Sequence, residues 1–584
     1  MATGRIHESL VEGYKMSIFD YDEHELLGTV ESVDTSTIVV RVDTDDRLRG
    51  LQVNHLVSIQ SSKVGQHLIG LVSKIIRKAA TIDSAIDITG DLGFNILKVV
   101  LIGTHFDRDG ERSNVFRRSL STVPTINAEC HLIHGDRLKK FMQAIASVPT
   151  EDNAVSLEIG TYSIDEDATA WLNGNKLFQR HAVIVGSTGS GKSWCVARIL
   201  EQVASLKSAN AVLFDIHGEY SPLTGSNFVH YKIAGPNDPH AEGNIFLPYW
   251  LLTYEEMLSL MLDRSDSNAP NQAMVFSNAV INGKKEFLRS IDNTAMEANI
   301  TLDSPVPYNL VNLLEELKEK DIEMVQGSRS GSEKQGPYHG KLTRFIQRLE
   351  TKLTDKRLNF MFSQDSQLLQ YSYMSRLCSK IMKPSDGGVG GVKIIDFSEV
   401  PSDVLPLIVS LLARLLFSVQ QWADINNRHP IALFCDEAHL YIPAASTKSI
   451  DDASLVTFER ISKEGRKYGV GLVVISQRPS EVNRTVLSQS NNFIAMRLTN
   501  VDDQAVVKRL LPDSLGDYVD MLPILDIGEA LVVGDASLLP SRIKIKEPTL
   551  KPRSATIDFW DEWSKESIDI NIESAIEALR KQSK

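Results

Sequence analysis

The chain has 584 residues, about four times the length expected of one domain, which predicts two to four domains with a large buried core. Hydrophobic residues make up 42% and charged residues 23%, and glycine and proline are close to average usage, which excludes collagen-like, low-complexity and wholly disordered proteins. The net charge of −13 argues against a protein coated with nucleic acid, although it is compatible with a basic channel inside an assembly.

Cysteine usage and hydropathy predict the compartment. The four cysteines lie too far apart for a disulfide framework or a Cys-x-x-Cys metal site, which favours a reducing environment. The amino terminus lacks the apolar core of a signal peptide, and the longest apolar helix candidate, residues 405–419, carries Arg414 and falls short of a membrane span. We therefore expect a cytoplasmic protein without a membrane segment.

The amino-terminal part of the chain, residues 1–150, has the pattern of a small β-domain. Short strand candidates separated by Gly, Asp and Ser recur every 10–20 residues or so, at residues 28–33, 36–42, 55–60 and 67–75. This rhythm predicts a small β-barrel or sandwich.

From residue 181 the pattern changes to that of an α/β domain, which we assign to residues 151–545. Apolar, β-rich runs that each end in polar residues alternate with helical stretches; the runs are residues 181–187, 210–220, 392–398, 431–439 and 471–480. Continuous apolar runs are typical of parallel strands covered on both faces, so we predict a three-layer α/β core.

Further segments surround this core. We predict a helical insertion at about 225–390, in which residues 253–262 and 340–353 have helical spacing. Two turn-rich stretches predict surface loops, at 326–337 and 383–391. Added strands are predicted at 493–499, 529–535 and 541–547, followed by a carboxyl-terminal extension at 546–584 whose last helix carries Ile572, Ile576 and Leu579 on one face.

A complete phosphate-binding loop (P-loop) motif, G-x-x-x-x-G-K-[ST], follows the first apolar run and precedes a helix-like stretch. Glycine lets the backbone wrap closely around phosphates, and the following helix presents its positive amino-terminal end to them. We expect Lys192 to reach the β- and γ-phosphates and Ser193 to ligate Mg²⁺. The predicted nucleotide-binding residues are Gly186, Ser187, Thr188, Gly189, Ser190, Gly191, Lys192, Ser193 and Trp194.

Two further runs of the core end in residues suited to nucleotide hydrolysis. The run IALFC delivers Asp436 and Glu437 to the carboxyl edge of the predicted sheet, where ligands bind in open α/β folds. We expect Asp436 to hold Mg²⁺ through water and Glu437 to polarise the attacking water. Gln477, just past the next apolar run, is expected beside the same edge, where it could report the γ-phosphate to the rest of the molecule.

The chain resembles the HerA family of hexameric DNA-translocating ATPases, within the larger HerA/FtsK group, in four stretches: GSTGSGKS (186–193), FDIHGEY (214–220), LFCDEAH (433–439) and KEGRKYGVGLVVISQRPSEV (463–482). The last stretch is the most specific, because a bare P-loop occurs in many folds. The resemblance covers nearly the whole chain and implies a RecA-like P-loop ATPase core. The amino-terminal barrel is similar to the family's HAS barrel, the insertion to its helical bundle, and the tail to its carboxyl-terminal brace.

The resemblance also implies an activity and partners. It implies a homo-hexameric ring with ATP and Mg²⁺ at the subunit interfaces and a central channel for duplex DNA. The expected function is that of an ATP-dependent duplex-DNA translocase or helicase. Such a ring would be coupled to an effector such as a nuclease or an NAD-degrading enzyme, in DNA-end processing or antiviral defence.

The same resemblance implies roles for three arginines and two further acidic residues. Arg180 precedes the P-loop strand, where the family carries an arginine involved in hydrolysis, and Arg460 and Arg466 lie in a segment expected to face a neighbour's nucleotide. We favour Arg466 for a role in trans and Arg180 for a role beside the site; a structural ion pair is the alternative for each. Asp215 and Glu219 match the family's acidic motif.

Two features favour a structural interpretation. His217 has no second ligand at metal-type spacing, which indicates a turn residue. The basic segment 341–357 could contact phosphates, although a solvated helix face is favoured; its charged residues are Lys341, Arg344, Arg348, Lys352, Lys356 and Arg357.

Two other functions remain open at this point. One is an ATP-binding ring scaffold that assembles and regulates an effector with little translocation. The other is a FtsK- or conjugation-type DNA pump, which should carry membrane spans or an added DNA-binding domain, and we see neither in the sequence. Chromosome-structuring ABC-type ATPases are disfavoured because coiled-coil arms and an LSGG-like signature are missing from the sequence.

Overall fold

The computed structural model of the chain describes residues 17–78, 94–110, 112–145, 156–326, 333–446, 449–510, 519–537, 539–553, 559–565 and 572–581. The chain divides into two compact units. Unit 1 comprises Met1–Leu177 and Asn492–Glu547, and unit 2 comprises Phe178–Asn491 and Pro548–Lys584. The domain boundaries expected at residues 150 and 545 stay predictions.

Unit 1 begins with a closed antiparallel barrel. Its six strands run in the ring order β2-β1-β7-β3-β4-β5, and β5 closes onto β2, while β6 extends the long β5 as a hairpin. The predicted small barrel is confirmed. Apolar side chains fill its interior, and helix α1 follows the last strand. The elements are β1 (Leu26–Val33), β2 (Thr37–Val42), β3 (Leu56–Gln60), β4 (Gln66–Lys78), β5 (Phe94–Asp109), β6 (Arg112–Arg117), β7 (Glu129–Leu132) and α1 (Gly135–Ile145).

A hairpin and a short helix connect the barrel to the α/β core along the chain. Strands β8 (Ser156–Tyr162) and β9 (Asp165–Asn173) pair antiparallel, and α2 (Gly174–Gln179) follows. Unit 2 then opens with the P-loop strand. Its first elements are β10 (Ala182–Val185), α3 (Lys192–Ala204), β11 (Ala211–Asp215), β12 (Phe228–Ile233) and β13 (Asn244–Ile245).

The predicted insertion is largely helical, although it also contains β12 and β13, which extend the parallel sheet of unit 2. These two strands were missed because they are short or half-exposed and lack the continuous apolar run of the inner strands. The expected helices near 253–262 and 340–353 are confirmed. The insertion contains α4 (Tyr254–Met261), α5 (Ala269–Ser290), α6 (Thr294–Glu297), α7 (Leu310–Ile322), the hairpin β14 (Met324–Gln326) and β15 (Glu333–Gln335), α8 (Thr343–Thr354), α9 (Asn359–Phe362) and α10 (Tyr373–Met382).

The sheet of unit 2 has seven strands, all parallel, in the order β13-β12-β16-β11-β17-β18-β10. Helices connect β10 to β11, β16 to β17 and β17 to β18, as in the predicted α/β core. Because the strands are parallel, their carboxyl ends meet at one edge of the sheet. The remaining elements of this part are β16 (Val392–Asp396), α11 (Leu405–Trp422), β17 (Ile431–Cys435), α12 (Ser449–Glu464), β18 (Val470–Ser476) and α13 (Arg484–Ser488).

Helix α11 is the apolar helix candidate of the sequence. It is long and apolar enough to cross a membrane by length and composition, but 72% of it is buried inside the fold. Its charged residue, Arg414, donates to both carboxylate oxygens of Glu256 at 2.7 and 2.6 Å, and Glu256 caps α4. This ion pair ties the insertion to a core helix, because the buried carboxylate of Glu256 requires a partner.

After α13 the chain returns to unit 1 and then ends in unit 2. Strands β19, β20 and β21 confirm the three predicted added strands, and they form an antiparallel sheet with the β8–β9 hairpin in the order β19-β20-β21-β8-β9. The last helix exposes Ile572, Ile576 and Leu579. The elements are β19 (Asn492–Met496), α14 (Val501–Leu510), β20 (Glu529–Gly534), β21 (Ser541–Ile545), α15 (Phe559–Trp563) and α16 (Ile572–Lys581).

Candidate active site

The P-loop occupies the carboxyl end of β10, as its position in the sequence predicts. The loop turns through two left-handed glycines, Gly189 at φ +73° and Gly191 at φ +103°, a conformation in which a Cβ atom is strained. Helix α3 begins at Lys192, immediately after Gly191. The first backbone N–H groups of this 13-residue helix therefore lie next to the loop, an arrangement suited to binding anions.

Lys192 supplies a buried positive charge inside this loop. Lys192 is only 9% exposed. Its Nζ donates to the carbonyl oxygen of Ser187 at 3.4 Å. Burial lowers the pKa of Lys192, while the nearby carboxylates of Glu437, Asp436 and Glu219 act in the opposite direction. A cation held in this way is poised for a polyanionic ligand that would replace the carbonyl as its partner.

Two carboxylates stand at the end of β17, which is separated from the P-loop strand β10 only by β18. Asp436 is 4% exposed and Glu437 is 8% exposed. Burial raises the pKa of Asp436 well above its usual range, and the neighbouring carboxylates of Glu437, Asp215 and Glu219 raise it further. Glu437 adopts a left-handed backbone conformation at φ +44°, and burial raises its pKa against the opposing effect of Lys192. The site therefore concentrates negative charge that the described chain does not neutralise.

A second acidic group converges on the same edge from β11. Ser193 Oγ donates to Glu219 Oε2 at 2.9 Å, and the backbone N–H groups of Glu219 and Tyr220 donate to the two oxygens of Asp215 at 3.0 and 2.9 Å. Burial raises the pKa of Asp215 to about 6. The P-loop hydroxyl expected to ligate Mg²⁺ is thus held by the acidic loop after β11.

Gln477 connects the P-loop to the end of β18. Thr188 Oγ1 donates to Gln477 Oε1 at 2.7 Å. The backbone N–H of Gln477 in turn lowers the pKa of Glu437 by hydrogen bonding, so one residue contacts both the P-loop and the second carboxylate. This position is the one expected from the end of the fifth apolar run.

The three candidate arginines lie away from this edge within their own chain. Arg180 precedes β10 and Arg466 precedes β18, so both are at the amino edge of the sheet, with the length of a strand between each and the P-loop. The role expected for Arg180 beside the site stays a prediction. Arg460 lies on α12, 3.6 Å from Glu464 and hydrogen-bonded to Gln421 at 3.0 Å.

The donor set fits a magnesium–nucleotide complex better than a metal ion alone. Among the described residues no group of three or more His, Cys, Asp or Glu side chains is arranged to hold a metal ion. Ser193 and Asp436 are oxygen donors of the kind Mg²⁺ prefers, and Mg²⁺ typically takes its other ligands from phosphates and water. Glu437 Oε2 is buried and accepts no hydrogen bond from the described chain, which leaves it available to a bound water.

Sequence reasoning missed one segment at this site. After unit 1 the chain runs along α3: the N–H of Leu550 donates to Glu201 at 2.7 Å and the N–H of Arg553 to the carbonyl of Glu219 at 2.7 Å. Lys551 Nζ lies 5.5 Å from the ring centroid of Trp194, just after the P-loop. Two of these contacts use backbone N–H groups, which leave no signature in the sequence.

The structure agrees with the structural interpretation of His217 and of the basic segment 341–357. His217 is exposed, on the turn between Asp215 and Glu219. On the basic segment, Arg348 pairs with Asp263 at 2.6 Å and Arg357 with Asp355 at 2.7 Å. These two arginines are engaged within the insertion, which favours a solvated, paired helix face.

Comparison with known families identifies both parts of the α/β region. Residues 157–416 match the model described as Helicase HerA, central domain, and residues 376–556 match the model described as Helicase HerA-like C-terminal. Together the two matches span 157–556.

Similar curated proteins carry related names. The DNA double-strand break repair helicase HerA of Saccharolobus solfataricus is 25% identical over 72% of this chain and 74% of its own length. The protein of the same name from Pyrococcus furiosus is 25% identical over 71% of this chain and 77% of its own length. Among solved structures, VirB4 of Thermoanaerobacter pseudethanolicus is 16% identical, covers 68% of this chain and 98% of its own, and has a TM-score of 0.46.

The excess of carboxylates at this edge predicts how the stability of the chain depends on pH. A carboxyl group whose pKa is raised by folding does not lower the free energy of unfolding at a pH below its unfolded pKa, near 4. As the pH rises from there to the folded pKa, the group lowers the free energy of unfolding progressively, and above the folded pKa the loss is complete. In the absence of nucleotide and metal, Asp436→Asn should therefore be more stable than the parent chain. The difference should grow as the pH rises from 4.5 to 8, and urea unfolding in EDTA at several pH values measures it.

Asp20→Asn is the matched control, since Asp20 is exposed and the change should alter stability by less than about 0.5 kcal/mol at any pH. An Asp436→Asn chain that is less stable than the parent at pH 8 would show that the carboxylates do not repel one another as described.

Proposed function

Because the chain belongs to the HerA family of helicases and is an ATPase of the helicase type, we propose that it is a duplex-DNA translocase that hydrolyses ATP at the carboxyl edge of its parallel sheet. The observation that carries the proposal is the convergence of the P-loop, Asp436, Glu437 and Gln477 on this one edge, around the buried Lys192.

Each side chain has a proposed role in hydrolysis. The N–H groups of the P-loop and the Nζ of Lys192 bind the phosphates and hold the terminal phosphoryl group in place. Glu437 orients the attacking water and accepts its proton, a role supported by its buried and unpartnered Oε2. Ser193 and Asp436 would hold Mg²⁺, which neutralises phosphate charge when bound.

Gln477 is proposed to sense the state of the nucleotide. Its side chain accepts from Thr188 of the P-loop, while its N–H reaches Glu437. A change at the terminal phosphate would alter both contacts at once, and Gln477 begins the segment that leads to the next helix, α13. This gives hydrolysis a route into the rest of unit 2.

We propose that the site is completed by a second copy of the chain in a homo-hexameric ring. Arg466 is exposed at the amino edge, and the part of the chain described here offers its side chain no ion pair. An arginine that reaches a neighbour's phosphate stabilises the charge of the transition state. The exposed apolar side chains of α15 and α16 also support association, because a large exposed apolar surface typically marks an interface; they are Phe559, Trp560, Trp563, Ile572, Ile576 and Leu579.

Duplex DNA is the proposed substrate of movement, and a separate enzyme is the proposed partner. Relatives over two thirds of the chain are named DNA double-strand break repair helicases, which supports DNA as the ligand of the ring. For the partner we propose a nuclease or an NAD-degrading effector docked on the amino-terminal barrel.

The assignment of hydrolysis to this edge predicts two distinct kinetic phenotypes. Glu437→Gln should bind ATP with the parental affinity and lose turnover, because the amide keeps the shape of the side chain but cannot accept a proton. Lys192→Ala should weaken binding as well as turnover, because it removes the buried cation. Nucleotide titration calorimetry combined with a phosphate-release assay distinguishes the two. Hydrolysis at the parental rate by Glu437→Gln would move the water-activating role to another residue.

The shared site predicts complementation between two inactive subunits. Arg466→Ala should lose most of its turnover, since an arginine supplied in trans contributes about 10³–10⁵ in rate in related phosphoryl-transfer systems. Mixing it with Lys192→Ala should restore some hydrolysis, because certain interfaces then pair an intact P-loop with an intact arginine.

Arg460→Ala mixed with Lys192→Ala is the control, since Arg460 is engaged with Glu464 and Gln421 in its own chain. If mixed rings form by native mass spectrometry and the Arg466→Ala mixture stays inactive, Arg466 does not act in trans, and Arg180 becomes the next candidate.

A further inference from the structure

His439 lies beside the proposed water-activating carboxylate and has no part in the roles assigned above. It follows Glu437 by two residues, in the short turn of helix after β17. Its Nδ1 lies 3.2 Å from Glu437 Oε2, and both side chains are only 10% exposed. This oxygen is buried and accepts no hydrogen bond from the described residues.

The imidazole is itself held from a second strand. Its Nδ1 lies 3.3 Å from Ser476 Oγ, at the end of β18, and Ser476 Oγ also accepts the N–H of Arg478 at 3.0 Å. Ser476 is fully buried and pairs in the sheet with Val185, the residue before the P-loop. The ring therefore bridges the end of β17 and the end of β18.

The charge state of the ring decides what it can do. Burial lowers the pKa of His439, with Arg478, His217 and Lys192 acting in the same direction and Glu481 in the opposite one. The ring is accordingly neutral near pH 7 and carries one N–H. An N–H on Nδ1 has two acceptors within reach, and a buried carboxylate oxygen without another donor is the stronger of the two.

We propose that His439 is a positioning residue that donates from Nδ1 to Glu437 Oε2 and fixes the carboxylate so that Glu437 can orient the attacking water, while Ser476 Oγ is the competing acceptor of the same N–H. The inference rests on the proposed role of Glu437. In this structure the ring nitrogen is within distance but not in line with the oxygen, and such contacts often align only in the substrate complex. The Ser476 contact makes the alignment depend on the same strand end that carries Gln477.

A pair of amide substitutions tests which ring nitrogen matters. The side-chain amide nitrogen of Asn occupies nearly the position of Nδ1, whereas that of Gln extends to the position of Nε2. His439→Ala should lower kcat about 10- to 100-fold, the usual cost of losing a residue that orients a catalytic group. ATP affinity should stay at the parental value, because the P-loop is untouched.

His439→Asn should then recover most of the lost rate, and His439→Gln should not. The measurements are phosphate release at saturating ATP, nucleotide titration calorimetry and melting temperature for each variant. His339→Ala, a histidine in the insertion far along the chain from β17 and β18, is the matched control and should keep parental values.

Equal kcat for His439→Ala and the parent would overturn the inference, as would equal recovery by Asn and Gln, which would indicate packing alone. A fall in rate that follows a fall in melting temperature across the variants would overturn it as well. Glu437→Gln is measured in parallel. If Glu437→Gln keeps its turnover, the proposed function of Glu437 fails. If Glu437→Gln loses its turnover while His439→Ala stays fully active, only the positioning role of His439 is refuted.

Discussion

The site depends on an electrostatic constraint that the parallel sheet imposes. Strands that run in one direction end at one edge, so Asp215, Asp436 and Glu437 are brought together there with Glu219. The buried cation described among them is Lys192, and its charge is insufficient to keep the pKa of Asp436 or Glu437 at its usual value. The edge therefore favours a ligand that brings its own cation and an anionic group for the P-loop, which is the chemistry of a magnesium–nucleotide complex.

Much of this edge is predictable from sequence because each of its parts is local. The P-loop, the acids after β17 and Gln477 all follow directly after an apolar strand, so a strand prediction is enough to bring them to one edge. The residues that were missed are held by long-range contacts. His439 bridges two strand ends through Ser476, and Leu550 and Arg553 reach the site through backbone N–H groups. The edge strands β12 and β13 were missed because partial exposure removes the apolar pattern.

The opposite edge of the sheet explains why a single chain is an incomplete hydrolase in this account. Arg180 and Arg466 both precede strands that run toward the P-loop, so neither reaches the phosphates of its own chain without crossing the length of a strand. In the proposed ring, the amino edge of one subunit would face the nucleotide of the next. The same arrangement would make hydrolysis depend on the contact between neighbours, which a translocating ring requires.

The central claim, that hydrolysis at this edge drives movement along duplex DNA, is tested most directly by the steady-state ATPase rate of the intact chain with and without long linear duplex DNA at fixed salt. We expect strong stimulation that increases with DNA length and is abolished by Glu437→Gln. A rate that saturating, demonstrably bound duplex DNA leaves unchanged would contradict the account and favour an ATP-binding ring scaffold.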